Sequence, residues 1–190
     1  LSAKSLGELR GYEGESALTY FSVFDQLILH QKEDFRMNGR TRRPPMDNVN
    51  ALLSFTYMLL MHEVRAALES VGLDPCVGFL HVDRPGRQSL ALDLMEEFRP
   101  FLSDRMVLSL INRKQVNGKG FVKQSAGGIL MDNESRKEVI TAWQKRKQEE
   151  IIHPFLDEKV SIGLLPYSQA LLLARFLRGD LDNYPVFINK

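Results

Sequence analysis

The longest uninterrupted helical signal lies between Asp47 and Gly72, and it commits the middle of the chain to an α-helical architecture. Val49, Leu52, Leu53, Leu60, Val64 and Leu68 recur at helical spacing, which gathers apolar side chains into one stripe. Asp47 is a good N-cap, because its short carboxylate can accept from unpaired amides of the first turn, and Gly72 supplies the stop. The predicted helix runs over about 48–71. Asn50, Ser54 and Tyr57 line a second face, which is expected to border a polar cavity. The apolar run at 51–61 is too short to span a bilayer and is interrupted by Ser54 and Thr56, so no membrane partner is expected.

The same period recurs on both sides of this helix. Between Leu6 and Gln31, the residues Leu6, Leu9, Ala17, Tyr20, Phe24 and Leu27 form one face, and Glu13 falls on it between Gly11 and Gly14. Each glycine inside a helix costs about 1 kcal/mol against alanine. Two of them around an inward acid make sense where a metal or a phosphate backbone approaches closely; an acid satisfied by Arg10 is the plainer alternative. Ser89 is placed to cap a helix with Leu90, Leu94 and Phe98 facing the core, broken or kinked at Pro100 and continued by Met106, Val107, Leu110 and Ile111. Phe121–Lys123 and Ile129–Met131 predict a small β-hairpin around 119–131. Asn133 is expected to cap a helix through Ile152 with a solvated, charged side. A last apolar helix at about 167–178 stops at Gly179. The expected fold is mainly α, a single helical domain over 1–190, and 190 residues with 44% hydrophobic content are enough for one core.

Charge is nearly balanced, 25 basic against 24 acidic residues, so any nucleic-acid contact has to rest on local clusters. One such cluster is the Gly- and Pro-containing loop with Arg36, Arg40, Arg42 and Arg43, read either as a solvated loop or as a phosphate-contacting arm. The single cysteine, Cys76, excludes a disulfide framework and a cysteine zinc site, which suits a reducing, cytoplasmic compartment; Cys76 itself is expected as a small core residue. Glu150-Ile-Ile-His153 is one Glu-x-x-His pair where a di-iron bundle needs two, so it carries no metal assignment.

The densest chemistry lies between Gly78 and Pro100. His81 sits in a short connection, Arg84 and Arg87 flank a Pro-Gly turn, and Asp93, Glu96 and Glu97 share a face of the next helix. Clustered acids are usually a solvated helix face, but a histidine beside them makes a hard, mixed N/O donor set. With Glu13, it suits Mg²⁺ or Mn²⁺ better than structural zinc. Arg84 and Arg87 are placed to hold phosphates beside such an ion.

These residues carry a family resemblance over essentially the whole chain. Gly11-Tyr-Glu13-Gly14, Pro44-Pro45-Met-Asp47, Asn50-Ala-Leu-Leu-Ser54-Phe-Thr-Tyr57, Gly78-Phe-Leu-His81 and Ser89-Leu-Ala-Leu-Asp93-Leu-Met-Glu96-Glu97-Phe-Arg99-Pro100 together resemble the CRISPR-associated Cas-one family. The ending from Leu165 to Asp182 looks like the type I-C variant. The resemblance implies a metal-dependent DNA endonuclease and integrase of spacer acquisition, in which a DNA 3′-hydroxyl attacks a phosphodiester of the CRISPR array. It implies Glu13, His81 and Glu96 as ligands of one Mg²⁺ or Mn²⁺, with Asp93 the alternative to Glu96 as third ligand and otherwise supporting the ligands or orienting substrate, and Arg84 as a DNA contact. Implied partners are double-stranded and branched DNA, a second copy in a homodimer, and the Cas-two protein in a heterohexameric integration complex. The chain is expected to be the helical catalytic domain without the family's N-terminal β-rich domain, and to be weakly active or inactive alone. A nuclease that only hydrolyses DNA is the rival within the enzyme class. A non-catalytic helical DNA-binding or scaffolding module, its acids paired in salt bridges, is the rival outside it.

Overall fold

The computed structural model describes residues 3–188 except Asp83 and Ala126. Six α-helices and two small antiparallel hairpins are found among them: α1 (Leu6–Phe24), α2 (Asn48–Ser70), α3 (Ser89–Met95), α4 (Arg105–Asn112), β1 (Phe121–Lys123), β2 (Ile129–Met131), α5 (Asn133–Gln148), β3 (Glu150–Ile152), β4 (Lys159–Ser161) and α6 (Leu165–Leu177). The mainly α expectation holds. No described helix is long and apolar enough to cross a membrane. The chain forms two compact units, one joining the segment that ends at Thr56 to Arg105–Ile140, the other joining Tyr57–Asp104 to the segment from Thr141.

In the first unit, the predicted start of α2 is made as expected: Oδ1 of Asp47 accepts the Asn50 amide at 2.7 Å. Buried Asn50 then pins the preceding loop, donating to the Gly39 carbonyl at 2.9 Å and accepting the Thr41 amide at 3.0 Å. Packing is completed by an edge-to-face pair, Phe35 and Phe121, at 5.4 Å between ring centroids. The hairpin pairs Phe121 with Met131 and Lys123 with Ile129, as the sequence predicts. It lies against the proline loop: the Ile129 amide donates to the Pro45 carbonyl at 2.8 Å, and a Cβ on Gly128 would stand 2.7 Å from Pro44 Cβ.

α1 departs from its pattern. Only Phe21 and Phe24, near its end, are buried, while Leu6, Leu9 and Leu18 lie open to solvent and Glu13 is exposed rather than inward. Periodicity shows that a helix has an apolar face; it does not supply the partner that covers it.

In the second unit, α2 ends at Gly72 with φ +81°, the left-handed stop that the sequence predicts. Several local readings do not hold. Ser89 does not cap α3. Instead, the Pro75 carbonyl accepts the Leu90 and Ala91 amides at 2.9 and 3.1 Å, and Ser89 Oγ accepts the Gly78 amide and donates to the Cys76 carbonyl. Cys76 is exposed, not a core residue. Pro100, where a break or kink is expected, is the second residue of a π-helical segment, Arg99–Asp104, ahead of α4. Helix α5 stops at Gln148, and residues 150–152 turn into β3, paired with β4. Its N-terminal acceptor is Asp132, whose Oδ1 takes the Ser135 amide at 2.7 Å, rather than Asn133. Buried His153 sets its Nε2 against Gln169 Oε1 at 3.1 Å, while Nδ1 accepts the Phe155 and Leu156 amides at 3.3 and 3.2 Å.

Candidate metal centre

His81 is placed by the loop from Gly78, and the loop is placed by Asp93. The amides of Phe79 and Leu80 donate to Asp93 Oδ2 at 2.6 and 2.9 Å, and the His81 amide donates to Oδ1 at 2.9 Å. The same Oδ1 lies 2.6 Å from His81 Nδ1. Four groups therefore converge on one carboxylate. Their approach is possible because residue 78 is glycine: a Cβ there would stand 2.7 Å from Asp93 Oδ2 and from the Ser89 backbone carbon. With Asp93 as acceptor, Nδ1 carries the proton and Nε2 keeps its lone pair, the arrangement in which histidines bind metals.

One turn further on, Glu96 closes α3 as its C-cap residue. A carboxylate oxygen of Glu96 and a ring nitrogen of His81 lie within 4.8 Å of each other, close enough for both to reach one ion. The three acids that share a face in the sequence thus separate in the structure. Asp93 is taken up by the loop and Glu96 stays half-exposed beside His81. Glu97 points inward and accepts from Gln169 Nε2 at 2.8 Å, Tyr184 Oη at 2.7 Å and the Phe187 amide at 2.8 Å. Burial pushes the Glu97 carboxyl above the usual glutamate range, against the lowering effect of those three donors. It is a clasp for the C-terminal segment.

Tyr57, which the sequence puts on the second face of α2, donates from its hydroxyl to buried Asp104 at 2.6 Å and carries the Arg99 guanidinium over its ring. Burial first, and the Asp104 charge second, push its phenol well above the usual tyrosine range. Its hydroxyl is thus engaged by Asp104 and its ring by Arg99. Arg84 is exposed, and Arg87 reaches back to the Val82 carbonyl at 3.4 Å, bracing its own turn.

In the first unit, Glu13 lies on exposed α1, and a Cβ on Gly11 or Gly14 would meet nothing within 4 Å. The surface beside Glu13 is therefore open. The arginine loop is mixed in character: Arg42 and Arg43 are exposed, whereas Arg40 is half-buried and donates to Asn50 Oδ1 at 2.7 Å and Ser54 Oγ at 3.2 Å. The polar face expected on α2 is thus filled from within, by Arg40 at Asn50 and Ser54. Nothing in the local sequence separates Arg40 from its neighbours; Asn50 ten residues later is the signal that was there to find.

Residues 1–145 match the family model for CRISPR associated protein Cas1, the Cas-one family of the sequence resemblance. The chain belongs to the Cas1 family. It is 58% identical over 95% of its length to a CRISPR-associated endonuclease Cas1 of Chlorobaculum tepidum, and 60% identical over 97% to one of Rhodospirillum rubrum. It covers 52% and 54% of those two proteins, about half the length of the curated Cas1 relatives it matches. Among solved structures it is similar to a casposase bound to integration product (TM-score 0.87, 27% identity, 100% of this chain and 55% of that one). It is also similar to a chain of a Cas6-RT-Cas1–Cas2 complex (TM-score 0.82, 27% identity, 97% and 20%).

Proposed function

We propose that this chain is the catalytic domain, over 1–190, of a divalent-metal-dependent DNA endonuclease and integrase that inserts spacer DNA into a CRISPR array. Glu13, His81 and Glu96 hold one Mg²⁺ or Mn²⁺, and Asp93 orients the histidine. The observation that carries this reading is the fastening of His81 by Asp93 through Nδ1, with a ring nitrogen of the histidine within 4.8 Å of a Glu96 carboxylate oxygen. The donor chemistry fits: carboxylate oxygens suit hard cations, and one imidazole favours Mn²⁺. A cation bound there supplies Lewis acidity for phosphodiester chemistry.

The reaction is a transesterification, in which a DNA 3′-oxygen bonds to phosphorus as the bond to the array's own 3′-oxygen breaks. Water in place of the hydroxyl gives hydrolysis. Arg84 and the exposed Arg42 and Arg43 contact phosphates, with Arg87 and Arg40 completing the basic set through the loops that they brace. Membership of the Cas1 family supports DNA as substrate, and two structural neighbours, one bound to an integration product and one in a complex with Cas2, support integration and a Cas2 partner; a homodimer within that assembly is part of the same proposal.

The test is a disintegration assay on branched DNA with Mn²⁺. Weak strand rejoining by the wild type, and its loss in Glu13→Ala and His81→Ala, is the expected result. Cleavage without rejoining leaves a plain nuclease, and rejoining unchanged in both variants sinks the metal site.

A further inference from the structure

Within the second unit, a line of contacts ends on a proposed metal ligand. Nη1 of Arg99 donates to Oε1 of Glu96. The Arg99 guanidinium lies over the Tyr57 ring, Cζ 4.3 Å from its centroid, and the Tyr57 hydroxyl donates to Asp104 at 2.6 Å. Exposure falls along the line, from 34% for the Glu96 side chain to 13% for Arg99, and Asp104 is only 2% exposed as a residue. The contact with Glu96 is thus anchored from the interior outward.

The backbone explains why these groups meet. Arg99 and Asp104 are the two ends of the π-helical segment. A π turn closes its hydrogen bonds over five residues, so side chains five apart return to the same side, and such insertions concentrate at functional sites. Tyr57, from α2, lies against both: its ring under Arg99, its hydroxyl on Asp104. Arginine suits the position because one planar group can stack on a ring and donate from its edge at once, which a lysine ammonium cannot reproduce.

We propose that Arg99, held by Tyr57 and Asp104, is a positioning residue for metal ligation: it occupies Oε1 of Glu96 and presents Oε2 to the cation. This rests on the metal reading above. A half-exposed glutamate without such a hold samples several rotamers and must be frozen when the ion binds, whereas a pre-placed one need not be. The guanidinium also repels the incoming cation, which opposes the gain. Loss of partners that orient metal ligands typically weakens affinity 10–100-fold, so positioning is the larger effect.

The experiment is Mn²⁺ titration of the protein, followed by the loss of the free-ion electron paramagnetic resonance signal. Arg99→Met is expected to weaken Mn²⁺ binding about 10–100-fold, Arg99→Lys less, and Tyr57→Phe less again. In a Glu96→Gln background, Arg99→Met is expected to cause no further loss, because its effect runs through the carboxylate; a general structural defect lowers affinity in both backgrounds. Should Arg99→Met not fold, Arg99→Lys in the two backgrounds gives the same comparison. Mn²⁺ affinity unchanged or raised in Arg99→Met, or an equal loss in both backgrounds, overturns the positioning role alone. A wild type that binds no Mn²⁺ overturns the metal site and this role with it.

Discussion

Asp93 holds His81 by ring and main chain at once, its Oδ1 lying 2.6 Å from Nδ1 and 2.9 Å from the histidine's own amide nitrogen. Both oxygens of this aspartate are thereby engaged within the protein, and that relationship distinguishes it from the other acids of the Gly78–Pro100 stretch.

Asp93→Asn tests the distinction. The carboxamide offers one acceptor oxygen where four donors now converge, and turns its own donor towards the rest. Mn²⁺ affinity should fall about 10–100-fold, measured by calorimetric titration. Affinity within twofold of wild type excludes the orienting role.

Glu97→Ala should behave differently. It leaves the Tyr184 hydroxyl and the Phe187 N–H without their acceptor, while Gln169 Nε2 keeps the Pro185 carbonyl, at about 1–3 kcal/mol for each group that water cannot reach. Urea unfolding should show a loss of about 2 kcal/mol or more by that count, while Mn²⁺ affinity of the folded fraction stays unchanged. The reverse pattern would make Glu97 a ligand.

The arginine loop separates by burial. Arg42→Ala and Arg43→Ala should each reduce the salt slope of DNA binding by about one and move stability by no more than about 0.5 kcal/mol. Arg40→Ala should cost about 1–3 kcal/mol, because Asn50 loses a buried partner. Unfolding curves and DNA affinity between low and moderate salt check both.

His153 sets an acid limit. Burial holds its imidazole below the ordinary value of 6.5, against a smaller raising effect from Gln169, so the unfolded chain takes up the proton first. The sign follows: the contribution is complete above about pH 6.5 and is lost as pH falls towards the folded value, at up to about 1.4 kcal/mol per pH unit. The Nδ1 contacts to two amides break on protonation. Unfolding midpoints at pH 7 and pH 5 should differ more for wild type than for His153→Asn; equal differences exclude this origin.

Much of this chain follows from interactions within a few residues, and those parts are legible in its sequence. Asp47 and Gly72 bound α2 because a cap and a left-handed stop are local devices, and Phe121–Lys123 pairs with Ile129–Met131 across a short turn. His81 and the nearby acids stand out by their chemistry alone. The sequence could not divide Asp93, Glu96 and Glu97, which are equivalent along one helix face until their partners are known. Those partners are a loop 12–14 residues back for Asp93, Arg99 for Glu96, and groups 72–90 residues away for Glu97. Ser89 as a stitch, Arg40 as a buried brace and the uncovered stripe of α1 were likewise decided by tertiary contacts. Each depends on which distant surface arrives, and a periodic pattern carries no information about that. The stretch from Gly78 to Pro100 determines by itself that a mixed nitrogen and oxygen donor set is on offer; only the fold decides that Asp93 holds the loop and Glu96 stays half-exposed, because only there does the backbone of the loop claim one carboxylate and leave the next.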